Sequence, residues 1–198
     1  MNHIMGLSSC AGCGGSYSGE FYCNGCQCFN SHTIIEIFDN GKLTKKEVSL
    51  IKKGDLVQTY NGISKSFTKV TKSVRNKGIF LFYELKCRDN ASNIKNISLT
   101  ENHIMIVFGK QKDEIKLKYA NQVKVGELLR TTEGFFEIVE ISKKTMNECF
   151  EIRTEDGTIL ANDILVSTLC TFYTKNKEEE KKIQKIIDSS KMPIEVLN

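Results

Sequence analysis

Five of the eight cysteines, Cys10, Cys13, Cys23, Cys26 and Cys28, crowd the first part of the chain, and Cys87, Cys149 and Cys170 are scattered beyond it. Cys10-Ala11-Gly12-Cys13 and Cys23-Asn24-Gly25-Cys26 form two C-x2-C pairs. Four thiolates spaced in this way can surround Zn(II) tetrahedrally, and the small residues between them allow tight turns. Two disulfides or four free thiols are the competing states, and clustering of this kind describes a local site rather than a framework for a whole fold. Cys28 follows Cys26 after a single residue and opens the apolar part of the sequence. Alone, such a thiol is either a nucleophile or a small buried hydrophobe. Further on, Thr100-Glu101-Asn102-His103 sets a hydroxyl and an imidazole three residues apart. At a strand end or turn they can converge on one point, and an imidazole titrates near neutral pH. His32 reads as a surface or turn residue, and His3 lies before the folded region.

The chain of 198 residues is long enough for one substantial core, with 40% hydrophobic and 26% charged residues. The net charge of +4 is dispersed and accompanies no nucleic-acid motif, so it implies solubility rather than a nucleic-acid partner, and a monomer is expected. No apolar run reaches the length of a bilayer span, which argues against a membrane partner. The opening residues carry no secretory signal pattern, and nothing in the chain fixes a compartment. Residues 1–27 are rich in Gly, Ser and Cys and read as a segment organised by cysteines. From Cys28 the texture becomes β-rich, with strands expected at 33–38, 56–60, 79–86, 97–100, 104–108, 135–141, 150–154 and 159–167. These define an all-β domain over residues 28–172. Residues 173–198 form a charged tail, with Ile183, Ile186 and Ile187 at helical spacing and Pro193 ending any helix.

An internal repeat organises the domain. Ile51-Lys52-Lys53-Gly54-Asp55-Leu56-Val57-Gln58-Thr59-Tyr60-Asn61-Gly62 aligns without a gap with Val123-Lys124-Val125-Gly126-Glu127-Leu128-Leu129-Arg130-Thr131-Thr132-Glu133-Gly134. Downstream, Tyr83-Glu84-Leu85-Lys86 answers Phe150-Glu151-Ile152-Arg153, and Asn102-His103-Ile104 answers Asn162-Asp163-Ile164. Two copies in so short a domain imply a fold with pseudo-twofold symmetry. Only the first copy carries the histidine.

Taken in order, Cys28-Phe29, Lys53-Gly54-Asp55, Leu99-Thr100-Glu101-Asn102-His103, Val125-Gly126-Glu127 and Gly157-Thr158-Ile159-Leu160 leading to Ile164-Leu165-Val166-Ser167 resemble the Hint (hedgehog/intein) autoprocessing domain, and within it the hedgehog C-terminal type. The resemblance spans roughly residues 28–170. It implies a Hint fold and self-cleavage, with the chain's own N-terminal flank as substrate and no cofactor required for cleavage. The thiol of Cys28 would attack the carbonyl of Gln27 and exchange an amide for a thioester. Thr100 would hydrogen-bond around the scissile amide, and His103 would protonate the departing nitrogen.

The same resemblance bears on the fate of the thioester. Splicing inteins end in His-Asn, whereas here the end reads Val166-Ser167-Thr168-Leu169-Cys170, which disfavours splicing. In the stretch that would hold the sterol-activating acid of the hedgehog type, Val74 takes its place, and the tail beyond Cys170 is too polar to bury a sterol. Water or a small nucleophile is then the expected acceptor. Thr168 occupies the place of the family's late cysteine, with Cys170 two residues on and, on an ideal strand, on the same face, where it is a candidate to assist. The rival reading is a zinc-binding interaction module on an inert Hint scaffold, with Cys10, Cys13, Cys23 and Cys26 as ligands.

Overall fold

The computed structural model describes residues 13–15, 21–23, 28–61, 64–110, 112 and 114–169, together with 181, 184, 185 and 188. A short antiparallel pair, β1 (Cys13–Gly15) and β2 (Phe21–Cys23), forms a sheet of its own beside a single large sheet. That sheet holds β3 (Ile34–Asp39), β4 (Lys42–Glu47), β5 (Leu56–Tyr60), β6 (Lys65–Arg88), β7 (Ile94–Thr100) and β8 (Ile104–Phe108). It continues with β9 (Ile115–Tyr119), β10 (Leu128–Thr131), β11 (Gly134–Thr154), β12 (Thr158–Ala161) and β13 (Ile164–Ser167). The main path runs β10-β11-β6-β5-β3-β12-β13-β8-β9, and β10 also pairs with β8 and β13, so the sheet closes on itself. Closure removes the free edges that a flat sheet would expose. The all-β expectation is met. Lys181, Gln184, Lys185 and Asp188 of the tail are helical. Among the described residues no helix is long and apolar enough to cross a membrane.

The repeat in the sequence is a repeat in space. The series β3, β4, 3-10 turn (Val48–Leu50), β5, β6, β7 is matched element for element by β8, β9, 3-10 turn (Ala120–Gln122), β10, β11, β12. The turn entering β5 and the turn entering β10 are built alike. Gly54 and Gly126 take φ of +98° and +91°, where a side chain is strained. Their amides donate to Val70 and Ile138, each at 2.8 Å, and those residues donate back to Asp55 and Glu127 at 2.9 and 2.8 Å. The acids in turn accept from the backbone N–H of Lys52 and Lys124, at 2.9 and 2.8 Å. The Gly-acid pair seen twice in the sequence is thus a turn that both bends the chain and caps it.

Between the two halves lies one large apolar core. It is filled by Phe29, Ile37, Leu85, Leu99, Met105, Phe136, Ile152 and Val166, among others, from nearly every strand. The long strands β6 and β11 pair along almost their whole length and form the spine that both halves share. The structure differs from the strands expected at several places, with β9, β10 and the first part of β6 among the unanticipated elements. The two expected strands at 135–141 and 150–154 are one continuous β11. The expected strand at 159–167 is broken by a turn at Asn162 and Asp163, whose φ angles of 49° and 64° are left-handed. Short polar side chains tolerate that conformation best among residues other than glycine. β4 was not expected because all but its last two residues are exposed and charge pairs hold it, Lys45 to Glu36 at 3.6 Å and Lys46 to Asp39 at 3.5 Å.

Because the two Gly-acid turns are equivalent, Gly54→Ala and Gly126→Ala should each destabilise the domain by about 1–2 kcal/mol through backbone strain, the added methyl itself meeting little. Urea unfolding of the two variants checks this; a neutral result at either site would mean that the turn relaxes.

Candidate active site

The site forms where the chain enters the domain. Cys28, Phe29 and Asn30 run between the end of β7 and the last part of β11 and bond to both. The Phe29 N–H donates to the Phe150 carbonyl at 2.8 Å and the Phe150 N–H returns a bond to Phe29 at 3.0 Å, while Thr100 N–H donates to the Cys28 carbonyl at 3.1 Å. Phe29 and Cys28 are fully buried. The aromatic ring of Phe29 enters the main core and presses edge-on against the His103 ring, centroids 4.8 Å apart. An apolar residue after the cysteine therefore anchors the junction, and Cys28 turns to the opposite side, among Phe80, Phe82 and Cys149, with Met146 beside them.

Thr100 is the last residue of β7, and the turn that follows, closed by the His103 N–H donating to the Thr100 carbonyl at 2.9 Å, brings His103 back alongside it. The Cys28 backbone N–H donates to the Thr100 hydroxyl oxygen at 2.9 Å. This is the nitrogen of the Gln27–Cys28 peptide bond. The three residues singled out by the sequence, Cys28, Thr100 and His103, are thus brought together from places more than seventy residues apart.

His103 is fully buried. Its Nε2 lies 2.9 Å from the Ser167 carbonyl. A carbonyl only accepts, so Nε2 carries the proton and Nδ1 of the neutral ring keeps its lone pair. Nδ1 is buried and makes no hydrogen bond among the described residues. Burial pushes the imidazole down to about 4, against the opposing pull of the Ser167 and Cys28 carbonyls, both of which favour its charged form. At neutral pH the site therefore holds a neutral base whose free lone pair faces a dry interior, beside a peptide nitrogen already held by a hydroxyl.

The other residues named from sequence fare differently. Thr168 spends its hydroxyl within the core, 2.9 Å from the Thr154 hydroxyl and accepting from the Thr154 N–H at 3.2 Å. Val74, in the place of the sterol-activating acid, pairs with Glu151 of β11. The Glu151 carboxylate is buried and bonded to Lys72 Nζ at 2.8 and 2.9 Å and to Arg153 Nε at 2.8 Å, which makes it a neutralised anchor. His32 is a surface residue, as expected, 3.2 Å from Glu47. Cys13 and Cys23 stand directly opposite one another in the β1–β2 pair. Cys10, Cys26 and Cys170 fall outside the described residues, and among the described residues no group of three or more potential metal ligands is found. Two contributors were not anticipated. The Ser167 carbonyl fixes the histidine tautomer, and no side-chain pattern can announce a backbone group. The other is Asn76, whose side-chain amide reaches the Cys28 sulfur.

No protein-family model and no curated protein sequence matches this chain. Comparison of structures finds inteins and an intein-like domain. The gp41-1 intein superposes with a TM-score of 0.56 at 21% identity, covering 71% of this chain and 98% of that one. A DnaB intein from Synechocystis sp. gives 0.56 at 19% identity, covering 71% and 97%. A bacterial intein-like domain from Clostridium thermocellum gives 0.56 at 18% identity, covering 71% and 98%.

The neutral state of His103 has a thermodynamic consequence. The unfolded imidazole protonates near 6.5 and the folded one near 4, so the folded state gains stability that is complete above 6.5 and lost as pH falls toward 4. His103→Gln, uncharged throughout, should escape roughly 2–3 kcal/mol of the acid destabilisation seen by wild type between pH 7 and 4.5. Urea titrations of both proteins at the two pH values measure the difference, and parallel losses would show that the ring charges without cost. The strand order, the paired halves and the alignment with the solved inteins agree, and the chain has the Hint fold.

Proposed function

We propose that this chain is a self-processing domain that cuts the Gln27–Cys28 peptide bond with the thiol of Cys28. The observation that carries the reading is the hydrogen bond from the Cys28 backbone nitrogen to Thr100 Oγ1, buried beside a neutral histidine with a free lone pair. The acceptor of this buried N–H is a side-chain hydroxyl rather than a ladder carbonyl, and it sits on the nitrogen of the peptide bond that the Cys28 thiol would cleave. Drawing the Cys28 N–H toward a hydroxyl fixes the amide in place. Fixed geometry of this kind supplies much of the rate of an intramolecular attack.

The step balances with water as the proton carrier. The Cys28 thiol loses its proton to water, Sγ of Cys28 bonds to the carbonyl carbon of Gln27, and the carbon–nitrogen bond breaks as a proton delivered through Nδ1 of His103 passes to the Cys28 nitrogen. The products are a thioester at Gln27 and a free amine on Cys28. A ring held near 4 gives its proton up readily, which suits it to protonate a poor leaving group. Water or a small nucleophile then takes the acyl group and returns the thiol, so each chain reacts once. We assign the processed unit to residues 28–172, acting as a monomer, with the polypeptide ending at Gln27 as the flank released. The hedgehog-type assignment stays with this reading, without sterol as acceptor, since Val74 and the neutralised Glu151 offer no free acid there. Splicing is disfavoured by the absence of a His-Asn end. Cys170 retains the place of a candidate assistant in resolving the thioester.

Purified wild type should release a fragment beginning at Cys28, faster with dithiothreitol or hydroxylamine, and Cys28→Ala should stay whole. Thr100→Ala should slow release about 10- to 100-fold, and His103→Ala on the order of 100-fold or more. Mass spectrometry of both fragments reads the outcome and identifies the acceptor. Wild type that stays intact with either reagent, or cleavage that survives in Cys28→Ala, sinks the proposal.

A further inference from the structure

The surroundings of the Cys28 sulfur pose a problem that Thr100 and His103 do not solve. Phe80, Phe82, Cys149 and Met146 make an apolar setting, and such a setting disfavours a thiolate. Cys87 shows the size of the effect in this same protein, since burial alone pushes its thiol up to about 12. A sulfur that must lose its proton to attack needs a donor. Asn76 supplies one. Its side-chain Nδ2 lies 3.8 Å from Cys28 Sγ, within reach of an N–H to sulfur hydrogen bond.

The backbone explains how a residue of β6 comes to point there. Phe80 pairs with Met146, and Lys77 pairs with Glu148, so β6 carries one more residue than β11 over this stretch. The surplus includes Gly78, at φ +154°. An extra residue of this kind bends a strand and re-aims the side chains on either side of it. Here it lets Phe80 and Phe82, beyond the bend, and Asn76, before it, converge on one sulfur. Asn76 also pairs in register with Cys149, itself a member of the cluster around Cys28, so strand register and side-chain contact agree independently.

We propose that Asn76 is a further catalytic residue, whose side-chain amide stabilises the Cys28 sulfur as it loses its proton. The inference rests on the reading of Cys28 as nucleophile. An amide suits the task because it donates without bringing a charge that would itself need a partner in this apolar place. An ionised carboxylate of the same shape offers only lone pairs and opposes the developing negative charge.

Asn76→Ala should slow release of the Cys28 fragment about 10- to 100-fold at neutral pH, the loss of a hydrogen bond to a charged group. The deficit should shrink as pH rises, because alkaline solution ionises the thiol without help. Asn76→Asp keeps the volume, guards against a folding defect, and should also be slow. In a chain blocked by His103→Ala, the 13Cβ resonance of Cys28 should titrate about one to two pH units higher when Asn76 is replaced by Ala. A merely structural role would lower the rate equally at every pH and leave that titration unmoved, which overturns the inference. Variants that cleave like wild type, or an Asn76→Asp chain that is faster, overturn it while leaving the role of Cys28 intact. A wild type that never cleaves removes both.

Discussion

The whole site depends on a strand only a few residues long being held on both edges. Cys28 to Asn30 bond to Thr100 and Ser98 of β7 on one side and to Phe150 of β11 on the other. Two ladders fix the position of a backbone more tightly than one, because each removes the freedom the other leaves. The ring of Phe29 then locks the segment into the main core and touches His103. The residue that seals the core also sets the distance between the peptide bond and the base. A chain entering through a loop could carry the same cysteine, but not at a fixed distance from a threonine and a histidine supplied by a turn on another strand.

Burial does two opposite things to the reacting groups. It lowers the affinity of His103 for a proton, which makes the ring a neutral base at working pH and a strong acid once charged. The same dryness works against a thiolate, as Cys87 shows. The polar contacts at the site answer these two needs in turn. The Ser167 carbonyl directs the proton of the ring to Nε2, which leaves Nδ1 for the reaction. The amide of Asn76 meets the sulfur. Thr100 meets the nitrogen. The sulfur, the ring and the amide nitrogen each have a neutral partner, which spares the interior an unpaired charge at those atoms.

Much of this was legible in the sequence, and the remainder was hidden for definite reasons. The strands β5 and β8 could be read to the residue because β-branched and other apolar side chains fill them. The first half of β6 could not, since it is rich in Lys and Ser and only Thr68 and Val70 of it are buried. The middle of β11, Ser142 to Thr145, looked like a break because it is polar, yet it stays extended by pairing with Glu84 to Leu81. The repeat Gly-acid motif declared the pseudo-symmetry because a positive φ demands glycine, and that demand is local. Cys28, Thr100 and His103 could be named because their chemistry lies in side chains and the resemblance supplied their order. The Ser167 carbonyl has no side-chain signature, and Asn76 becomes meaningful only after a strand irregularity turns it toward the sulfur.

The duplicated scaffold also explains why the proposed chemistry falls to one half and not the other. Asn102 and His103 enter β8 as Asn162 and Asp163 enter β13, so the two pairs occupy corresponding corners. At the second corner the side chains are committed to holding strands together. Asn162 accepts from the Ile34 N–H at 2.7 Å and donates to the Asn96 carbonyl at 2.8 Å. Asp163 bonds Lys95 at 2.6 Å and accepts from the Thr132 hydroxyl. Lys95 in turn lies 3.2 Å from Glu133 and over the ring of Phe136. A carboxylate paired in this way, on a partly exposed surface, has neither a free lone pair nor a dry setting to offer a proton transfer. At the first corner the histidine is buried, bonded on one nitrogen only, and next to the entering strand. Symmetry supplied two equivalent corners; the chain enters the domain beside just one of them, with the Cys28 thiol next to it, so the proposed cleavage has a place at that corner alone.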